Sequence, residues 1–157
     1  MNSLVSKHLL IVYHSKTGKT GQMADAVNLG ACSPSVDIEC RFKSAKESGI
    51  RDLLWADGII FGTPENFGYM SGALKDFFDR TFYEVEGQVE GTPYCVFIAA
   101  GNDGQGALSS IRRICNGYNF REVQAPVLVV GDLCKDSLEQ CQELGLAMAV
   151  GLESGIF

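Results

Sequence analysis

The sequence predicts a three-layer α/β sandwich, a mostly parallel five-stranded sheet with helices on both faces. Three observations predict it. Short apolar runs rich in β-branched and aromatic residues recur along the chain. Helical apolar periodicity fills the intervals between them. A length of 157 residues, 46% of them hydrophobic, suffices for one well-buried core and is too short for two ordinary ones. A single domain over residues 1–157 is therefore expected.

Leu9 to Tyr13 is a continuous apolar run and reads as a strand buried on both faces. A polar turn follows, then a helix with Met23, Ala24, Val27 and Ala31 on one side. Val36 to Phe42 alternates as a second strand, and Ile50 to Ala56 is a short helix. Asp57 to Gly62 is the third strand; a long loop leads from it to a helix with Leu74, Phe77, Phe78, Thr81 and Phe82 on one face. Pro93 to Ala100 is the fourth strand, and the loop GNDGQG opens a helix that turns Leu108, Ile111, Ile114 and Cys115 inward. Val127 to Val130 is the fifth strand, and Ser137 to Leu152 the last helix. Such alternation implies right-handed crossovers, and ligands of such sheets bind beyond the carboxyl ends of the strands. The loops to search are 14–20, 63–72 and 100–106.

Composition removes several functional classes. A formal charge of −6 without clustered Lys or Arg argues against nucleic acid. The longest apolar stretches fall far short of the roughly 20 residues that span a bilayer. The start MNSLVSKHLLIVY lacks a small-residue cleavage site, so no secretory leader is expected and a cytoplasmic location follows as the default. Six cysteines occur without C-x-x-C spacing, which favours free thiols over a metal site. The acidic set Glu84, Glu86 and Glu90 reads as a solvated connection.

In the first loop, Gly18-Lys19-Thr20 ends like a triphosphate loop, but Tyr13 stands where that loop needs its first glycine. A dinucleotide fingerprint fails too, since only Gly18 and Gly21 lie between strand and helix. What remains is Ser15-x-Thr17-Gly18-x-Thr20, three hydroxyls and a glycine at a helix start. That set suits one terminal phosphate monoester. The helix dipole contributes only about 0.3–1 kcal/mol, whereas each hydrogen bond to a charged group contributes about 1.5–3 kcal/mol, so the hydroxyls outweigh the helix. Lys16 and Lys19 are either steering charges or solvated loop residues. Two other patterns fall away. Cys115 and Arg121 have the C-x5-R spacing of a phosphatase loop, but Cys115 ends a helix instead of a strand. A receiver domain needs paired acids after the first strand, where His14 and Ser15 stand.

With those residues in view, the chain resembles the flavodoxin-like family, whose phosphate loop has the form [ST]-x-T-G-x-T. A second block, GTPENFGYMSGALKDFFDRT from Gly62 to Thr81, looks like the corresponding segment of the Trp-repressor-binding-protein type NAD(P)H:quinone oxidoreductases. The resemblance implies strand order 2-1-3-4-5 and FMN as cofactor. It places Ser15, Lys16, Thr17, Gly18, Lys19 and Thr20 around the phosphate. Thr63, Pro64, Glu65, Asn66, Phe67 and Gly68 would line the isoalloxazine, with Gly68 near N5, and Tyr69 would either stack on the ring or face a surface. Ala100, Gly101, Asn102, Asp103 and Gly104 would offer amides to the pyrimidine edge.

Departures matter as well. The quinone reductases usually carry Arg before Phe-Gly-Asn, whereas Asn66 precedes Phe67-Gly68-Tyr69 here. Those enzymes also have an inserted segment with a substrate-side His, and this chain has only His8 and His14. The third loop lacks the Tyr that stacks on the flavin of electron-carrying flavodoxins. The expected function is hydride transfer from NAD(P)H through flavin N5 to a quinone or similar acceptor, with no protein acid or base required. The second expectation is a one-electron carrier that docks protein partners through its acidic surface. The resemblance also implies a dimer or tetramer.

Overall fold

The computed structural model describes residues 5–157. The first four residues of the segment read above for a leader lie outside the described ones. Five main strands run β1 (Lys7–Tyr13), β2 (Ile38–Ser44), β3 (Gly58–Pro64), β4 (Pro93–Ala100) and, after a short β5 (Arg121–Glu122), β6 (Val127–Val130). Between and after them lie α1 (Lys19–Ala31), α2 (Ile50–Trp55), α3 (Gly72–Val85), α4 (Gln105–Tyr118) and α5 (Lys135–Glu153).

All pairings are parallel, and the sheet order is β2-β1-β3-β4 with both β5 and β6 beside β4. The strand order 2-1-3-4-5 therefore holds, with its fifth position shared by two pieces. β5 pairs with Pro93 and Tyr94, and β6 with Phe97 to Ala100. The second strand begins at Ile38 instead of Val36, because Val36 donates its amide to Ser33 in a turn after α1.

Strand period 2 divides the interior. Leu10 and Val12 face one side with Phe61, Val96 and Ile98, under α2, α3 and α4. Leu9 and Ile11 face the other with Ile60, Cys95 and Phe97, under α1 and α5. That split follows from handedness. The β1-to-β2 connection moves one way across the sheet and the β3-to-β4 connection the other, so right-handed crossovers put α1 and α3 on opposite faces. The reversal lies between β1 and β3, where the loops after Tyr13 and Pro64 diverge from the sheet. Trp55 is half-buried against the core under α2, α3 and α4, with the His8 ring stacked on it at 4.3 Å and the Arg41 guanidinium over its ring at 4.1 Å.

Candidate functional site

The loop after β1 is shaped by one hydroxyl. His14 still donates to the Gly62 carbonyl at 3.1 Å, and the chain then leaves the sheet. Ser15 Oγ accepts from the Gly18 amide at 3.2 Å and the Gly21 amide at 3.0 Å, which curls the backbone around it. Gly18 sits at φ 99°, a left-handed conformation that glycine adopts without steric cost. Among the described residues, no protein acceptor faces the amides of Thr17, Lys19 and Thr20. Thr17 is exposed. Thr20 is only 2% exposed, yet its hydroxyl has no protein partner and no fully buried side-chain polar atom among the described residues is left unpaired, so that hydroxyl reaches the loop's open surface. The loop thus presents amides and hydroxyls with nothing of its own to bind, the donor set a phosphate dianion requires.

The two lysines differ. Lys19 Nζ donates to the Gly131 carbonyl at 2.8 Å and lies 3.6 Å from Asp132, so it ties α1 to the loop after β6. Lys16 is exposed and has no ion pair among the described residues. The Gly131–Asp132 loop was not singled out from the sequence, although a glycine ending an apolar strand was the same signal that marked Gly62 and Gly101.

In the second loop, Thr63 is buried and its hydroxyl is fully engaged, donating to the Pro64 carbonyl at 2.8 Å and accepting from the Ser71 amide at 2.9 Å. It closes the base of the loop. Above it, Asn66 and Tyr69 exchange two backbone hydrogen bonds of 2.9 and 3.0 Å around Phe67 and Gly68, both at positive φ, 53° and 68°. Two positive φ values in a two-residue turn define the type I′ geometry. Phe67 holds it with a side chain that prefers other regions, at a strain of about 1–2 kcal/mol, and its ring is wholly exposed.

The second and third loops are joined. Glu65 donates its amide to Ala99 at 2.9 Å, while its carboxylate accepts from the Ala107 amide in the first turn of α4 at 3.1 Å. Met70 donates to Ser110 Oγ at 3.2 Å. The Gly68 carbonyl approaches Gly106 so closely that a Cβ there would fall 2.0 Å from the oxygen. In the third loop, Ala100 accepts from Gly131 and Asp103 from the Gln105 amide, and Gly104 at φ 75° starts α4. Gly101, Asn102 and Asp103 are exposed, and their amides have no protein acceptor among the described residues.

The three loops follow the carboxyl ends of the adjacent strands β1, β3 and β4, and the first and third present unpaired donors there. Of the residues singled out, Ser15, Thr63, Glu65 and Lys19 use their side chains to hold the loops. Thr17, Thr20, Phe67 and the amides of Gly101 to Asp103 remain open. Tyr69 is 41% exposed and lines a groove with Gly106. Gly106 closes the 100–106 loop marked by the sequence, whereas Ser110 and Gly131 lie outside the three loops. Cys115, the residue of the phosphatase-like spacing, is buried in α4, and burial pushes its thiol well up, the reverse of a nucleophile. Among the described residues, no three His, Cys, Asp or Glu cluster as a metal site, and no helix is long and apolar enough to cross a membrane.

Residues 10–132 match the NADPH-dependent FMN reductase family. A flavodoxin of Aquifex aeolicus is 38% identical over 115 residues, covering 71% of this chain and 62% of the relative. An NAD(P)H dehydrogenase (quinone) of Acidithiobacillus ferrooxidans is 35% identical over 112 residues, covering 58% and 56%. The chain thus spans little more than half the length of these relatives. A WrbA-like flavodoxin from Agrobacterium tumefaciens superposes with a TM-score of 0.77 over 95% of this chain and 99% of its own, at 22% identity, so the fold is flavodoxin-like.

Proposed function

The chain belongs to the NADPH-dependent FMN reductase family, and from that premise we propose that it is a cytoplasmic oxidoreductase that carries FMN and passes hydride from NAD(P)H to a quinone or similar acceptor. One observation carries the proposal. The unpaired amides and hydroxyls at the start of α1, the exposed turn at Phe67 and the open amides of Gly101 to Asp103 all lie beyond the carboxyl ends of the adjacent strands β1, β3 and β4, beside the point where the strand order reverses. Their chemistry fits a ligand with a phosphate at one end and a flat, hydrogen-bonding ring at the other.

FMN held there would supply the redox chemistry, accepting and passing on reducing equivalents. The chain's own groups bind and orient. Thr17, Thr20 and the free amides hold the phosphate, with Ser15 fixing the curl that aims them. Asn66 and Tyr69 close the turn that would lie beside the ring, and the free amides of Gly101, Asn102 and Asp103 would donate to its pyrimidine edge. Glu65 keeps the second and third loops at a set separation through α4.

A second reading, the one-electron carrier, draws support from the flavodoxin relative and from the charge of −6. Anaerobic mixing of FMN-loaded protein with NADPH or NADH separates the two. Rapid loss of the flavin colour is the outcome expected of the reductase. Colour that persists with both nucleotides but vanishes with dithionite excludes the reductase and leaves the carrier.

A further inference from the structure

The two helical layers pack differently. Under one face, Gly30 of α1 and Gly145 of α5 let the helices touch through backbone, since a Cβ at either would fall about 2 Å from the carbonyl of Gln142 or Val27. On the other face, α3 and α4 meet through Phe78, Phe82 and Tyr118, and bulky side chains at the base leave a channel between the helices above them. The channel starts as an open groove at Tyr69, beside the Asn66–Tyr69 turn, and this first section, walled by α4 and Tyr69, has a volume of about 470 Å³. Its α4 wall is Gly106, Ser109, Ser110, Arg113 and Ile114, residues i, i+3, i+4, i+7 and i+8 of one helix face.

Charge along this channel is uneven. In the first section the cation is Arg113, which is exposed and has no carboxylate within 4 Å among the described residues. Its neighbour Arg112 is committed to Glu122 by two bonds of 2.8 and 2.9 Å. Beyond Ile114 the channel passes the Lys75–Asp79 pair and ends between Glu86 and Glu90. An anion is therefore attracted to the section nearest the three loops and repelled from the far one. A volume of 470 Å³ lies within the range of small-ligand sites.

We propose that the first section of the α3/α4 channel binds the adenosine diphosphate part of NAD(P)H. Arg113 and Ser109 hold a phosphate, and Tyr69 and Ile114 form apolar walls for the adenosine. Guanidinium suits this role because its planar fork bonds two phosphate oxygens at once. The assignment rests on the reductase reading, since it takes the bound donor to be a nicotinamide nucleotide whose ring lies at the neighbouring loops.

The probe is ADP, titrated by calorimetry into FMN-loaded protein, with amide chemical shifts recorded in parallel. Binding that moves the amides of Ser109 and Arg113 and weakens roughly tenfold in Arg113→Ala is the expected result. Arg113→Lys should recover part of it, Ser109→Glu should abolish it by repulsion, and the KM for the nucleotide donor should rise with the loss. FMN affinity should stay constant across the set, which shows that the variants fold. Equal ADP affinity in wild type and Arg113→Ala, with the flavin still bleached by NADPH or NADH, overturns the channel assignment and leaves the reductase reading standing. ADP binding that depends on Arg113, with neither nucleotide bleaching the flavin, overturns the reductase reading and with it the assignment of the channel to a hydride donor.

Discussion

At the start of α1, one oxygen of Ser15 accepts two amides, from Gly18 and Gly21, so it serves the protein before it serves any ligand. Thr17 and Thr20 have no such duty, and Lys19 is drawn off by Gly131 and Asp132. The three side chains should therefore differ sharply toward FMN. A hydrogen bond to a charged phosphate contributes about 1.5–3 kcal/mol, so Thr17→Ala and Thr20→Ala should each weaken FMN by about 10- to 100-fold in calorimetry. Lys19→Ala should change it by less than about threefold, because its charge is already balanced by Asp132. Lys19→Ala proving the most damaging of the three would sink the hydroxyl account and make charge the source of affinity.

Among the elements, the same substitution should have opposite signs at two helical glycines. Gly145→Ala pushes a methyl against the Val27 carbonyl and must part α1 from α5. Gly117, inside α4, has nothing within 4 Å of a Cβ and no positive φ. Urea unfolding should show Gly145→Ala destabilised by about 1–3 kcal/mol and Gly117→Ala stabilised by about 0.5–1 kcal/mol. A stabilised Gly145→Ala would mean that α1 and α5 are not in backbone contact. This level also shows what was legible in the sequence. β1, β3 and β4 stood out because they are buried on both faces and read as unbroken apolar runs. β2 is an edge strand of mostly half-buried residues, so its start slipped by two. β5 is Arg121 and Glu122 alone, held by Pro93 and Tyr94 of β4, and no local pattern could mark it. In the site, the spacing of Ser15, Thr17, Gly18 and Thr20 was visible, but the reach of Glu65 to Ala107 across 42 residues is a contact between loops and leaves no trace in spacing.

For the whole molecule, the two cores share one sheet, so a group titrating in either should weaken both. Tyr94, Cys115 and Tyr118 lie in the core under α3 and α4, and Cys95 and Cys141 in the core under α1 and α5. Burial pushes all five up, Cys141 to about 11 and Tyr118 to about 12. In the unfolded chain a thiol titrates near pH 8.5 and a phenol near pH 10. The unfolded state therefore loses these protons first. The stabilisation is whole below about pH 8.5 and is lost as the pH rises toward the folded values. Each buried thiol should remove stability on the order of 1 kcal/mol per pH unit across that window. Urea midpoints under reducing conditions should thus be nearly flat from pH 7 to 8 and fall steeply by pH 10. Cys141→Val and Cys115→Val should each reduce that fall by a similar amount, although the two side chains sit on opposite faces of the sheet. A single unfolding transition at both pH values is the expected companion result. If Cys141→Val changed the alkaline slope while Cys115→Val did not, or if two transitions separated at pH 10, the α1/α5 and α3/α4 layers would unfold independently and the sheet would not couple them.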